Sequence, residues 1–166
     1  RGFVISPDLK LAILVGGGTG AAALGLLASE LSRRDAVALS ILIGAHTRAE
    51  CLCVDDFCEL CGADGVRVWV TRRGLEEELT RVARHLDNRA LGISGVELFA
   101  AGPLGMLRRI SEFALGRGIP CQVSVETRMA CGLGICQSCI CTDARGDGYL
   151  LACKDGPVFD SRAVVL

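Results

Sequence analysis

Cys131, Cys136, Cys139 and Cys153 are the residues of this chain whose type and spacing most constrain its chemistry. They lie in MACGLGICQSCICTDARGDGYLLACKDGPVF and run C-x4-C-x2-C, with the fourth cysteine after a short further segment. Thiolates are soft ligands for iron and zinc. Structural zinc sites usually pair their cysteines as C-x2-C twice. A [4Fe–4S] site more often shows C-x2-C-x2-C, whereas C-x4-C-x2-C…C is the plant-type [2Fe–2S] spacing. The pattern therefore predicts a [2Fe–2S] cluster and single-electron transfer. One tight loop must bring three thiolates together, and Gly132 and Gly134 supply the backbone freedom it needs. Backbone N–H groups freed in such a loop can point at sulfur and tune the potential.

These ligands need elements to hold them. Ile140 and Thr142, the turn ARGDG, and Tyr149 to Ala152 read as a hairpin that carries Cys153 back to the loop. Upstream, the apolar runs 10–15, 37–43, 66–70 and 96–101 read as strands, and Cys121 to Val125 as a last one. Between them, 20–33, 48–61, 75–86 and 103–117 read as helices, the last opened by Pro103. Strands alternating with helices predict an α/β fold: a parallel sheet with helices on both faces. The expected division is a nucleotide-binding domain over 1–118 and a small cluster domain over 119–166.

Two glycine-bearing turns sit at strand ends. Gly16, Gly17, Gly18, Thr19 and Gly20 follow the first strand and open a helix, where backbone N–H groups can face a pyrophosphate. The run is not a full G-x-G-x-x-G, so alone it fits a ligand-free tight turn equally well. Gly102 and Pro103, in AAGPLGML, form a second such turn. Ligands of open α/β sheets bind at these carboxyl ends, so the two turns together predict a nucleotide site.

The remaining chemistry-bearing residues read as structural. Cys51, Cys53, Cys58 and Cys61 repeat part of the cluster spacing, but they fall on the expected helix 48–61 with no glycine between them, and they read as packed thiols. His46 and His85 have no partner at catalytic spacing, and no catalytic side chain is expected. Glu76–Glu78 with Arg81 and Arg84 read as a solvated helix face of i,i+4 pairs. Asp155 reads as a turn residue, and Cys121 and Cys141 as strand residues, Cys141 being a possible spare ligand. The net charge of −1 gives no bias towards nucleic acid or anionic membrane, and no apolar run is long enough to span a bilayer. Ten cysteines in a chain with 51% hydrophobic residues, with no secretory leader pattern, fit a reducing, cytoplasmic setting.

GGGTG, AGPLGML, PCQVSVETRMACGLGICQSC and CKDGPVF, in that order, resemble the electron-transfer subunits of class B dihydroorotate dehydrogenases. Those subunits belong to the ferredoxin–NADP reductase superfamily. The resemblance implies a C-terminal reductase-type NAD(P) domain followed by a [2Fe–2S] domain, without the FAD-binding barrel that precedes them in the family. It implies NADH on Gly16–Gly20 and Gly102–Pro103, and FAD on the barrel of the complete protein. It also implies a cluster on the four cysteines, relaying single electrons to or from FMN in a catalytic partner subunit, within a heterotetramer. The chain alone would then be inactive. Two other readings stay open: a reductase subunit of similar build for a sulfhydrogenase, sulfite reductase or ferredoxin–NADP transhydrogenase, or a barrel-less iron–sulfur sensor. The chain departs from the family at Ala101, where a cysteine near the nicotinamide is usual, and at Ala22 and Ala23, where a proline is usual. In VTRRG, Arg72 and Arg73 stand where related chains tend to be acidic. They read either as a solvated basic turn or as a 2′-phosphate contact favouring NADPH.

Overall fold

The computed structural model describes residues 1–88, 92–146 and 148–166, with only the backbone of Thr71 and Arg72. Its centre is the run LAILVGG, which forms β1 (Leu11–Gly17) and is buried along its full length. A strand buried on both faces needs parallel neighbours covered by helices. β1 has them: β2 (Ala38–Ala45) pairs parallel on one side and β4 (Val96–Ala101) on the other. β3 (Val66–Val70) extends the sheet beyond β2, and β5 (Cys121–Ser124) extends it beyond β4, both parallel.

Alternate residues of these strands feed two cores. Ile13, Val15, Leu98 and Ala100 face α3 (Thr71–Asp87) and α4 (Leu104–Gly116), meeting Leu79, Leu107 and Ile110. Ala12, Leu14, Phe99 and Ala101 face α1 (Gly25–Ser32) and α2 (Val54–Cys61), meeting Leu27, Leu31 and Phe57. Phe57 and Phe99 are fully enclosed, and burial of each side chain contributes about 1.5–3 kcal/mol. The α/β architecture with helices on both faces is thus as expected.

The C-terminal part adds a two-stranded antiparallel hairpin, β6 (Ile140–Thr142) and β7 (Tyr149–Leu151), with Ile140 opposite Leu151. Its buried residues Cys139, Cys141 and Ala152 join the core on the α3 and α4 face. A short strand, β8 (Val158–Asp160), then pairs antiparallel with β5 and closes the order β3-β2-β1-β4-β5-β8.

Several sequence expectations need correction. The segment after β1 does not enter an α-helix at once: Gly18–Leu24 is a 3-10 helix, and α1 starts at Gly25. The expected helix 48–61 is broken. A 3-10 turn covers Arg48–Glu50, and α2 begins only at Val54, after Cys53 at φ 59°. Cys51 and Cys53 are therefore not on the helix that carries Cys58 and Cys61. VTRRG is not a turn, because α3 starts at Thr71 directly from the extended Val70.

Nor are Glu76–Glu78 a uniformly solvated face. Glu78 is buried and reaches back to β3, where Arg67 Nε donates to it at 2.7 Å, and Glu76 accepts from Arg109 of α4 at 2.6 Å. Helix position alone cannot reveal such cross-element pairs. The pair that Arg81 makes there is with Glu78 at i,i+3, 3.8 Å apart, and among the described residues the i,i+4 pair of this helix is Arg73 with Glu77 at 3.7 Å.

Candidate functional site

The parallel register brings the two glycine turns to one edge of the sheet. Gly16 of β1 lies beside Ala101 of β4 and Ile43 of β2. Beyond that edge the turns touch. A Cβ on Gly20 would lie 2.5 Å from Gly102 N and 2.6 Å from the carbonyl of Ala101, and a Cβ on Gly102 would lie 3.0 Å from Gly17 N. Gly18 at φ 54° and Gly102 at φ 154° occupy backbone that side chains resist. Pro103 precedes α4 as its cap residue, and Thr19 is exposed at the mouth of the first turn. The contact between backbones explains why both motifs are glycine-rich. The side chain of Arg72 lies outside the described residues. Arg73, one residue on, is 91% exposed.

The cysteine loop spans Cys131 to Cys139. Gly132 at φ 68°, Gly134 at φ 78° and Gln137 at φ 58° curl it tightly. Its thiols fall into two pairs. Cys131 Sγ accepts the Cys136 N–H at 3.5 Å, which sets these two side by side, and Cys139 Sγ lies 3.3 Å from Cys153 Sγ. The loop also packs on the segment around Cys153, since a Cβ on Gly134 would lie 3.2 Å from the Lys154 side chain.

Cys131 Sγ accepts the N–H groups of Leu133 at 3.3 Å and Cys136 at 3.5 Å. Such donors, that of Cys136 first, hold the Cys131 thiol below its ordinary pKa. The Ser138 hydroxyl, then backbone donors, bring Cys136 down to about 6. The loop is thus built to stabilise negative sulfur. Cys153 is pushed up, chiefly by its hydrogen bond with Cys139.

Elements outside the loop hold Cys153 in place. Ala152 N donates to Cys139 O at 3.0 Å, and the Asp155 carboxylate accepts Leu151 N–H at 2.8 Å. Asp155 is a turn-holding residue, as its position suggested. Among the described residues, no three His, Cys, Asp or Glu side chains converge to hold a single metal ion.

Leu133 and Ile135, at the tip of the loop, are 74% and 77% exposed, and Met129, beside Gly132, is exposed as well. Sequence reasoning missed this apolar rim, although two aliphatic residues inside a glycine-rich loop were its visible signal. It also missed Ser138.

Cys51, Cys53, Cys61, Cys121 and Cys141 behave as packed thiols, and Cys58 is half-buried. Cys51, Cys53 and Cys61 lie against the core around Phe57, and burial raises the pKa of Cys51 and Cys61. Cys121 and Cys141 are buried strand residues, and burial pushes Cys121 up to about 11. His46 and His85 are exposed. Replacing Cys51, Cys53, Cys58 and Cys61 with serine is expected to leave iron at about two atoms per chain, the content of one [2Fe–2S] cluster. Iron analysis checks this, and a wild-type content of about four would assign a second centre to these residues.

Residues 126–165, which span the loop and the hairpin, match the family described as the iron–sulfur cluster binding domain of dihydroorotate dehydrogenase B. Across nearly the whole chain, identity is 36% over 162 residues to the dihydroorotate dehydrogenase B (NAD(+)) electron transfer subunit of Bacillus caldolyticus. That alignment covers 97% of this chain and 60% of the relative.

The chain is a homologue of that electron-transfer subunit. The probable counterpart from Methanocaldococcus jannaschii is 34% identical over 163 residues, covering 95% of this chain and 58% of its own length. The homologue described here thus spans about 60% of the length of the curated relatives it matches. Among solved structures, a NADH-dependent reduced ferredoxin-NADP oxidoreductase superposes with a TM-score of 0.73 at 28% identity, covering 96% of this chain and 56% of that one. The C-terminal domain of a Pyrococcus furiosus hydrogenase has a TM-score of 0.55 at 12% identity and shares the fold. No described helix is long and apolar enough to cross a membrane.

Proposed function

We propose that these residues form the nucleotide-binding and cluster-bearing part of a dihydroorotate dehydrogenase electron-transfer subunit. The observation that carries the reading is the pairing of the four thiols within the segment matching the cluster-binding family. A zinc ion needs four sulfurs at about 2.3 Å from one point. Two adjoining pairs would suit a two-iron group instead, which Cys131 and Cys136 would hold from one side and Cys139 and Cys153 from the other. When bound, a [2Fe–2S] cluster accepts and releases one electron at a time. The chain's own part is to favour the anionic form of Cys131 and Cys136 and to aim backbone N–H groups at Cys131 Sγ.

Gly16–Gly20 and Gly102–Pro103 would cradle the pyrophosphate of NAD(H) at the carboxyl ends of β1 and β4. FAD would be held by a barrel outside these residues and would split hydride pairs into single electrons. The apolar rim of Leu133 and Ile135 suits contact with an FMN-containing catalytic subunit, since exposed apolar patches mark interaction sites. This reading keeps a division at 1–118 and 119–166, a cytoplasmic setting and a role in pyrimidine biosynthesis.

Arg73 pairs with Glu77 in solvent, and the matched relatives carry NAD(+) in their names. NADH is therefore expected to be preferred over NADPH. Turnover with each nucleotide checks this; a preference for NADPH would assign a 2′-phosphate contact to Arg72 and Arg73.

The likeness to the ferredoxin-NADP oxidoreductase favours a second reading, a reductase part for such a complex. Co-purification of the complete subunit with its partner, followed by assay of dihydroorotate-dependent NAD reduction, separates the two. Activity supports the first reading. Its absence from a complex loaded with cluster and flavin removes that reading.

A further inference from the structure

We propose that the Ser138 hydroxyl donates a hydrogen bond to Cys136 Sγ in the cluster-loaded protein and so raises the cluster's reduction potential. The inference rests on the reading above, in which Cys136 is a cluster ligand. Ser138 Oγ lies 3.2 Å from Cys136 Sγ, 3.2 Å from Ala130 N and 3.5 Å from Arg128 O.

A hydroxyl has one hydrogen to give and two lone pairs to offer. The Ala130 N–H occupies one lone pair, so the hydrogen has two candidate acceptors, Cys136 Sγ and the Arg128 carbonyl. In the free thiol, Cys136 or Ser138 can be the donor. An iron-bound thiolate carries no proton and only accepts, which fixes the direction from Ser138 to Cys136. The competing carbonyl at 3.5 Å lies beyond the usual range for a hydroxyl donor, and a hydrogen bond to a charged acceptor is about twice as strong as a neutral one. Sulfur is the larger atom, so 3.2 Å to Cys136 is a close contact. The result is a directional chain from Ala130 N–H through Ser138 O–H to the sulfur.

Reduction adds one negative charge to the iron–sulfur unit. A donor aimed at a ligand sulfur stabilises the reduced form more than the oxidised form, and the potential rises. Cys131 receives its donors from the backbone, which substitution leaves in place. Among the described residues, Ser138 is the only side-chain hydroxyl bonded to one of the four thiols. It is therefore the position where one substitution can change the potential while leaving all four ligands intact.

The test compares wild type, Ser138→Ala and Ser138→Thr in the complete subunit, each with iron and sulfide quantified. Each protein is titrated anaerobically with dithionite and ferricyanide while the visible and EPR spectra are followed. Ser138→Ala is expected to keep its iron and to show roughly a tenfold lower ratio of reduced to oxidised cluster at a fixed potential. That ratio corresponds to a fall of about 59 mV for a one-electron couple. The alanine variant should also lose one exchangeable-proton coupling in pulsed EPR, and Ser138→Thr should restore both properties.

An unchanged potential in an alanine variant with full iron content overturns the proposal. Loss of the cluster from the alanine variant, with retention in the threonine variant, also overturns it, because the hydroxyl would then serve loop integrity instead. Absence of a cluster from wild type would sink the underlying functional reading, which the iron analysis detects before any potential is compared.

Discussion

Cys153→Ala is expected to remove the cluster. Iron should fall from about two atoms per chain to near zero after desalting, since a [2Fe–2S] centre needs four protein ligands. Cys153 is the ligand that reaches the centre from outside the loop. Its sulfur lies 3.3 Å from Cys139 Sγ, and the segment around it is pinned through Ala152 N to Cys139 O. The loop Cys131–Cys139 alone offers three thiolates, which leaves one iron with a single protein sulfur.

The fold should survive this substitution. Cys153 is only half-buried at the edge of the core, while the sheet is carried by β1, β2 and β4. Circular dichroism and iron analysis on one sample check both halves of the expectation. Full iron retention in Cys153→Ala would assign the fourth ligand elsewhere, with Cys141 the nearest alternative in sequence. Cys141, however, is buried, and burial raises its pKa.

The second large effect falls on the nucleotide turns. Gly20→Ala should weaken NADH binding by about tenfold or more, equivalent to at least about 1.4 kcal/mol. The added Cβ would sit 2.5 Å from Gly102 N and 2.6 Å from both the carbon and the oxygen of the Ala101 carbonyl. These are backbone atoms at the end of a fully buried strand, so no rotamer change relieves the clash. Overpacking of this kind costs about 1–3 kcal/mol. Here the strain separates the two turns proposed to cradle one pyrophosphate. Gly25→Ala serves as the comparison, because a Cβ at Gly25 meets nothing within 4 Å. Isothermal titration with NADH should give wild-type affinity for Gly25→Ala and a large loss for Gly20→Ala. Equal affinities would remove the nucleotide from these turns.

The parts legible in the sequence were those written in local pattern. Among the runs that became β1 to β5, β1 and β4 stand out most, because they are buried at every residue and a strand covered on both faces is apolar along nearly its whole length. The hairpin Ile140–Thr142 to Tyr149–Leu151 follows from its turn residues, and the four-thiol loop from spacing and glycines. What escaped was set by tertiary contact. β8 is three residues long and exists through its pairing with β5. Glu78 looked solvated until Arg67 on a neighbouring strand came within 2.7 Å. The break before α2 depends on Cys53 adopting a left-handed backbone, which the residue type disfavours. Ser138 carried no sequence signal beyond its place beside Cys139, because its partner is chosen by the curl of the loop.

The central claim is that Cys131, Cys136, Cys139 and Cys153 hold one electron-transferring [2Fe–2S] cluster. Metal and sulfide analysis of the anaerobically purified protein, combined with EPR before and after dithionite reduction, tests it most directly. The account predicts about two irons and two sulfides per chain, no signal when oxidised and a single spin-½ signal when reduced. One zinc per chain, with no reducible signal, would contradict it.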